Sequence, residues 1–259
     1  MQIQQHSFLV TGGASGLGES VVRAIVAEGG NVVIADLNEA AGQALADELG
    51  ANVRFVRCDV TSGDEVQAAV DMAEKAFGGL QGSINCAGIV VVQKLLDREN
   101  NPADLDAFSR GVNINLVGSF NVARLVAASI AKRVATDDDA EKNADQGVII
   151  NTASIAAFDG QVGQASYSSS KAGVVGLTLP LARELARHGI RVMTIAPGVF
   201  ATPMMQSIPE KACEQLEAGV PYPKRMGAPN EFAKLVMHII DNAYLNGEVI
   251  RLDGAIRMI

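Results

Sequence analysis

Tryptophan is absent from the 259 residues, and tyrosine, cysteine and histidine occur three times each. Cys58, Cys86 and Cys213 are far apart and odd in number. They form no disulfide framework and no metal or redox motif, and they fit a reducing compartment. His6, His188 and His238 are equally scattered, so no metal site is expected. Positive charge is scarce: Lys and Arg number 21 against 29 Asp and Glu, for a net charge of −8. That excludes non-specific nucleic-acid binding, which needs spare cations for phosphates. A small anionic ligand held by local donors remains compatible with it. Long hydrophobic runs are missing too. Gly, Ser, Thr and Asn interrupt every uncharged stretch, and the opening MQIQQHSFLVTGG has neither a basic start nor an extended apolar core. The expectation is a cytoplasmic protein without a membrane span or signal peptide.

Hydrophobic residues make up 48% of the chain and glycine occurs 26 times. That amount of apolar sequence fits one large domain over residues 1–259. Short apolar runs alternate with longer amphipathic ones. SFLV, NVVIAD, NVRFVRCDV, GSINCAG, GVIINTAS, IRVMTIAPG and GEVIRLDG read as strands. LGESVVRAIVAEG, NEAAGQALADELG, SGDEVQAAVDMAEKAFG and the stretch after Gln164 read as helices. This alternation predicts an α/β fold: a Rossmann-type, doubly wound, mostly parallel sheet with helices on both faces. Residues 93–102 and the acidic 136–146, with Asp137, Asp138 and Asp139, read as solvated loops.

The turn TGGASGLG follows the first strand and opens the first helix. Gly12, Gly16 and Gly18 have the spacing of a loop whose backbone approaches a pyrophosphate at a helix N-terminus. A tight strand-to-helix turn is the plainer reading. Asp36 ends the second strand, 18 residues beyond Gly18, where a carboxylate can accept hydrogen bonds from an adenosine ribose and repel a 2′-phosphate. No Lys or Arg lies in the glycine turn or in residues 37–41, so NAD is favoured over NADP. A helix cap is the other reading of Asp36.

Tyr167 and Lys171 stand four residues apart in YSSSK, on one face of a predicted helix. A cation beside a phenol favours the phenolate, which makes the pair a candidate acid/base couple; a polar helix face is the alternative. Collectively, TGGASGLG, CDV at 58–60, NCAG at 85–88, NL at 115–116, Ser154, YSSSK at 167–171 and PG at 197–198 resemble the short-chain dehydrogenase/reductase family. The motifs come in the family's order and cover nearly the whole chain. AAFDGQVGQA and LNGEVIRLDGAIRM are similar to its members that oxidise 3-hydroxyacyl-CoA. Gln81 departs from the pattern, since the family usually has Asp there.

The resemblance implies that Ser154 holds the substrate oxygen, Tyr167 is the acid/base and Lys171 binds the nicotinamide ribose. It implies that Asn115 binds a water relaying protons from Lys171; Asn113 is a nearby rival for the same role. Cofactor contacts are implied for Gly12, Ser15, Gly16, Leu17, Gly18, Asp36, Asp59, Val60, Cys86, Tyr167, Lys171, Phe200 and Thr202. For Val60 and Cys86, strand-end packing competes with that role. Residues 202–225 read as a substrate loop, in which Lys211, Lys224 and Arg225 offer charge for CoA phosphates. The implied activity is hydride transfer between NAD and a short or branched (S)-3-hydroxyacyl-CoA, in a homotetramer. An NADPH-dependent 3-oxoacyl-carrier-protein reductase and a non-catalytic NAD-sensing scaffold are the competing readings.

Overall fold

The computed structural model describes residues 1–135, 145–206 and 210–258. The acidic run at Asp137, Asp138 and Asp139 and the side chain of Lys211 lie outside what is described. In chain order the strands are β1 (Ser7–Thr11), β2 (Asn31–Asp36), β3 (Val53–Arg57), β4 (Gly82–Asn85), β5 (Gly147–Thr152), β6 (Ile190–Pro197) and β7 (Val249–Leu252). The helices are α1 (Gly16–Ala27), α2 (Glu39–Leu49), α3 (Gly63–Phe77), α4 (Leu105–Val112), α5 (Gly118–Ala135), α6 (Ala165–Leu185), α7 (Pro203–Gln206), α8 (Glu210–Ala218) and α9 (Pro229–Asp241). Every strand coincides with a run expected from the sequence, β1 exceeding its run by Thr11 alone. The strands form one sheet in the order β3-β2-β1-β4-β5-β6-β7, and every pairing is parallel. The sheet is therefore wholly parallel, and its order reverses between β1 and β4.

Alternation along the strands builds two cores. Val10, Ile34, Ile84 and Ile150 face one side, with Val22 and Ile25 of α1 and Phe232 and Val236 of α9. Leu9, Val33, Ile149 and Val192 face the other, with Val66 and Val70 of α3 and Val122 and Val126 of α5. Covering both faces is what allows strands to be apolar on both sides. The caps follow from sequence. Ser62 accepts the Glu65 N–H at the start of α3, and Asn38 accepts that of Ala41 in α2. Gln81 accepts the Ser7 N–H at 2.7 Å and returns its own N–H to the Ser7 carbonyl at 2.8 Å. The glutamine thus ties the start of β4 to β1.

Helices α4 and α5 are joined through a π-helical turn, Asn113–Val117, into one stretch, Leu105–Ala135. By length and composition this stretch is apolar enough to cross a membrane, with a mean hydropathy of 1.4 over 18 residues, but 56% of that window is buried inside the fold. The sequence reading found no such span. The apolar character is that of a core helix packed on β4, β5 and α3.

Candidate active site

The carboxyl ends of the central strands open into a cleft of about 450 Å³ at the point where the strand order reverses. In doubly wound sheets this is where ligands bind. At one end lies the glycine turn. Gly12 has φ +63°, and a Cβ there would sit 2.8 Å from the Ala87 amide nitrogen; a Cβ on Gly18 would sit 2.1 Å from the Gly12 carbonyl oxygen. Side chains are thus barred from the turn, leaving backbone to meet a ligand. Ser15, Gly16 and Leu17 line the same wall.

Asp36 closes this end. Its carboxylate accepts the Ala14 and Asn38 N–H groups, each at 3.0 Å. Asn38, not Asp36, caps α2. Asp59 lines the cleft beside it and accepts from the Thr61 N–H and hydroxyl at 2.9 and 2.7 Å. Val60 is buried with its carbonyl bonded by Asn121 at 2.8 Å, yet it also borders the cleft. Cys86 lines the floor. Burial pushes its thiol up to about 11, against the Thr152 hydroxyl and Lys171. That is a packed thiol, not a nucleophile. Phe200 and Thr202 form the far lip; Phe200 is pinned edge-on to Phe232 at 6.4 Å. These residues line one continuous wall. It offers backbone amides, a helix N-terminus and a carboxylate, groups that suit an anionic ligand with a hydroxyl-bearing part.

At the other end Ser154 and Tyr167 meet. Their side chains lie close together, and both line the cleft. Ser154 also accepts the Ala156 N–H at 3.1 Å, which fixes its rotamer. Burial raises the Tyr167 phenol above its ordinary value, and the nearby Ser154 hydroxyl opposes that rise. The expected meeting of the Tyr167 hydroxyl with the Lys171 ammonium is not what the geometry gives. Lys171 Nζ lies 6.0 Å from the centre of the tyrosine ring and donates to the Thr152 carbonyl at 2.7 Å. Desolvation therefore governs both groups, and burial lowers Lys171 to about 8. A cation that is costly to bury and close to neutrality is poised to gain or lose a proton.

Asn115 stands behind the cleft rather than in its lining. It is fully buried in the π-helical turn, whereas Asn113 is exposed. The Asn115 amide accepts the Ile89 N–H at 2.8 Å and donates to the Ile89 carbonyl at 2.9 Å and to Ser170 Oγ at 3.0 Å. Sequence reasoning missed Thr152, Ile89 and Ser170 in these roles. The last had a signal, since Ser170 follows Tyr167 by one helical turn. Missed as well were Leu216 and Met258 on the apolar wall. Arg225, expected to offer free charge, is instead paired with Glu231 through both carboxylate oxygens at 2.7 and 2.8 Å. Lys224 stays exposed. Among the described residues no cluster of three or more His, Cys, Asp or Glu side chains converges on a metal position.

The Lys171 shift has a measurable sign. Its folded value of about 8 lies below the ordinary 10.5, so between the two the unfolded chain binds more protons and stability rises with pH. Tyr167, raised rather than lowered, acts only above about pH 10. Urea unfolding of the protein and of Lys171→Met should therefore diverge with pH. From about pH 7.5 to about pH 9.5 the difference should move toward the native protein by about 2 kcal/mol. A difference that does not change with pH means that Lys171 titrates as an ordinary lysine.

A family model described as short chain dehydrogenase matches residues 6–212. The chain is 51% identical over 251 residues to human 3-hydroxyacyl-CoA dehydrogenase type-2, covering 96% of this chain and 94% of the relative. It is 32% identical to a 3-oxoacyl-[acyl-carrier-protein] reductase of Thermotoga maritima, covering 99% of each. The crystal structure of 3-hydroxyacyl-CoA dehydrogenase type-2 from Mycobacterium avium matches it with a TM-score of 0.91 at 47% identity, covering 98% of this chain and 97% of the other. With the wholly parallel sheet, the glycine turn and the Ser154–Tyr167 pair at its carboxyl edge, these likenesses agree: the chain belongs to the short-chain dehydrogenase family.

Proposed function

We propose that this enzyme oxidises a short or branched (S)-3-hydroxyacyl-CoA to the 3-oxo thioester, with NAD as cofactor. The observation that carries the reading is the juxtaposition of Ser154 and Tyr167 at one end of a cleft whose other end is closed by Asp36. The name and half-identity of the human relative support the substrate class. For NAD, the support is the Asp36 carboxylate, which would repel a 2′-phosphate. The 32% likeness to the carrier-protein reductase gives that alternative weaker support.

The residues divide the work. NAD, when bound, supplies the hydride acceptor and a positive ring charge. The Ser154 hydroxyl holds the substrate oxygen, and Tyr167 takes the O–H proton as the C–H hydride leaves. Burial alone opposes the phenolate, so nearby positive charge has to favour it. Lys171, fixed by the Thr152 carbonyl, provides part of that charge, and its lowered pKa suits passage of the proton onward. Asn115 holds the Ile89 backbone and Ser170 in register beside it, which supports the proton-relay role. Exposed Lys224 is the described cation best suited to a CoA phosphate, since Arg225 is neutralised by Glu231.

Turnover of 3-hydroxybutyryl-CoA, free 3-hydroxybutyrate and a simple secondary alcohol, each with NAD and with NADP, tests this directly. The thioester with NAD should lead in kcat/KM by at least about tenfold, or roughly 1.4 kcal/mol. A lead for NADP overturns the role of Asp36; equal rates with the free acid overturn the acyl-CoA reading. Replacing Tyr167 by Phe should lower kcat at least about 10²-fold, the scale of a lost acid/base group, while NAD still binds. Near-normal turnover removes Tyr167 from the chemistry.

We also propose a homotetramer in the cytoplasm. Among the described residues the three cysteines form no disulfide, which supports the location. A groove of about 280 Å³ between α5 and α6, lined by Phe120, Ala127, Leu181 and Leu185, supports association, as do exposed Val117 and Leu179 nearby. Light scattering of protein isolated from the cytosolic fraction should give four times the chain mass of 27.0 kDa. A monomer mass at micromolar concentration refutes the assembly.

A further inference from the structure

Arg251 lies in β7, at the edge of the sheet, far in sequence from Ser154. Its side chain nevertheless reaches the turn that follows Ser154. One guanidinium nitrogen donates to Asp159 at 2.6 Å, and another donates to Asp253 at 2.7 Å. The first also reaches the Ile256 carbonyl at 3.2 Å, and the guanidinium carbon lies 5.3 Å from the centre of the Phe158 ring. Asp159 itself hangs on the Ile155 carbonyl at 2.9 Å, one residue after Ser154.

The tail beyond β7 is built on the same contacts. Asp253 accepts the Ala255 N–H at 2.9 Å, and the Ile256 N–H returns to the Asp253 carbonyl at 3.1 Å. Ile256 is buried with Ile155, Val199 and Val220, and two residues later Met258 lines the cleft. Among the described residues no strand pairing joins this tail to the turn after β5. The guanidinium is the charged link, and its fork suits two carboxylates in a way an ammonium does not.

We propose that Arg251 is a positioning residue for the acyl substrate, holding the tail and Met258 against the Ser154 turn. The inference rests on the reading that this end of the cleft takes an acyl chain. Arg251 makes no hydrogen bond to the glycine turn or Asp36, so its effect falls on the substrate and not on the dinucleotide.

The test compares Arg251→Gln, Asp159→Asn and Arg251→Lys in the full chain. For the first two, KM for 3-hydroxybutyryl-CoA should rise about tenfold, with kcat within about threefold and the NAD dissociation constant within about twofold. The Lys variant should lie between, since it keeps a charge but not the fork. The double variant Arg251→Gln/Asp159→Asn should be no worse than either single change, as partners in one contact are not additive. Hydrogen exchange at the Ala255 and Ile256 amides should quicken at least about tenfold in both single variants, whichever substrate the enzyme takes. Unchanged exchange, or KM and NAD affinity shifting together, overturns the role of Arg251. Should Arg251→Gln fail to fold, Asp159→Asn alone decides by the same readings. Quickened exchange in an enzyme that ignores the thioester would instead sink the acyl-CoA reading and leave the clamp standing.

Discussion

One buried amide holds the active end of this molecule in register. The chain leaves β4 at Asn85 and, past the Cys86 N–H bond to the Thr11 carbonyl, runs on outside the sheet, although residues 86–90 wall the cleft. Asn115 takes the place of the missing strand: its side chain bonds both the N–H and the carbonyl of Ile89. Its remaining N–H goes to Ser170 Oγ, and Ser170 in turn donates to the Tyr167 carbonyl at 2.8 Å. The cleft wall, the π-helical turn and the helix bearing Tyr167 and Lys171 therefore share one anchor. A buried backbone left unpaired costs about as much as a lost hydrogen bond, so a side chain that satisfies both groups of a residue fixes its position firmly.

Electrostatics at that end is governed by burial more than by charge pairing. Cys86, Tyr167 and Lys171 are all pushed toward their neutral forms by removal from water. The ammonium is kept in place by a carbonyl and not by a carboxylate. A carboxylate there would have held Lys171 charged and drawn it away from the phenol. A neutral acceptor leaves the proton loosely held. The negative charge is placed instead at the opposite end, on Asp36 and Asp59.

Much of this was legible in the chain. Short apolar runs marked all seven strands, and caps such as Ser62 marked helix starts, because both depend on local rules. The glycine turn and Asp36 were legible because their spacing is imposed by one strand-turn-helix unit. The direction of the Lys171 side chain was not, since its acceptor Thr152 lies 19 residues away on a strand. Nor was the Arg251 clamp, which joins residues 92 apart. The Arg225–Glu231 pair was hidden for a different reason: a charged loop residue reads as available until its neighbour in space is known. Asn113 and Asn115 differ by two positions; the NL at 115–116 already favoured Asn115, and the widened turn is what carries it inward.

That widened turn has a consequence for how the segment tolerates change. Each residue of a regular α-helix advances the chain by about 100° around its axis, and a π-helical turn absorbs one residue beyond that count. Deleting a single residue within Asn113–Val117 would restore the regular winding and leave α4 and α5 in nearly the same phase, because the wide turn already absorbs the extra residue. The buried face of the Leu105–Ala135 stretch would stay continuous, but Asn115, which the wide turn itself carries, would be moved off Ile89. Replacements at exposed Asn113 or Val117 touch none of these bonds. Here the number of residues carries more information than their identity, and a shift in length would do what no single substitution nearby can.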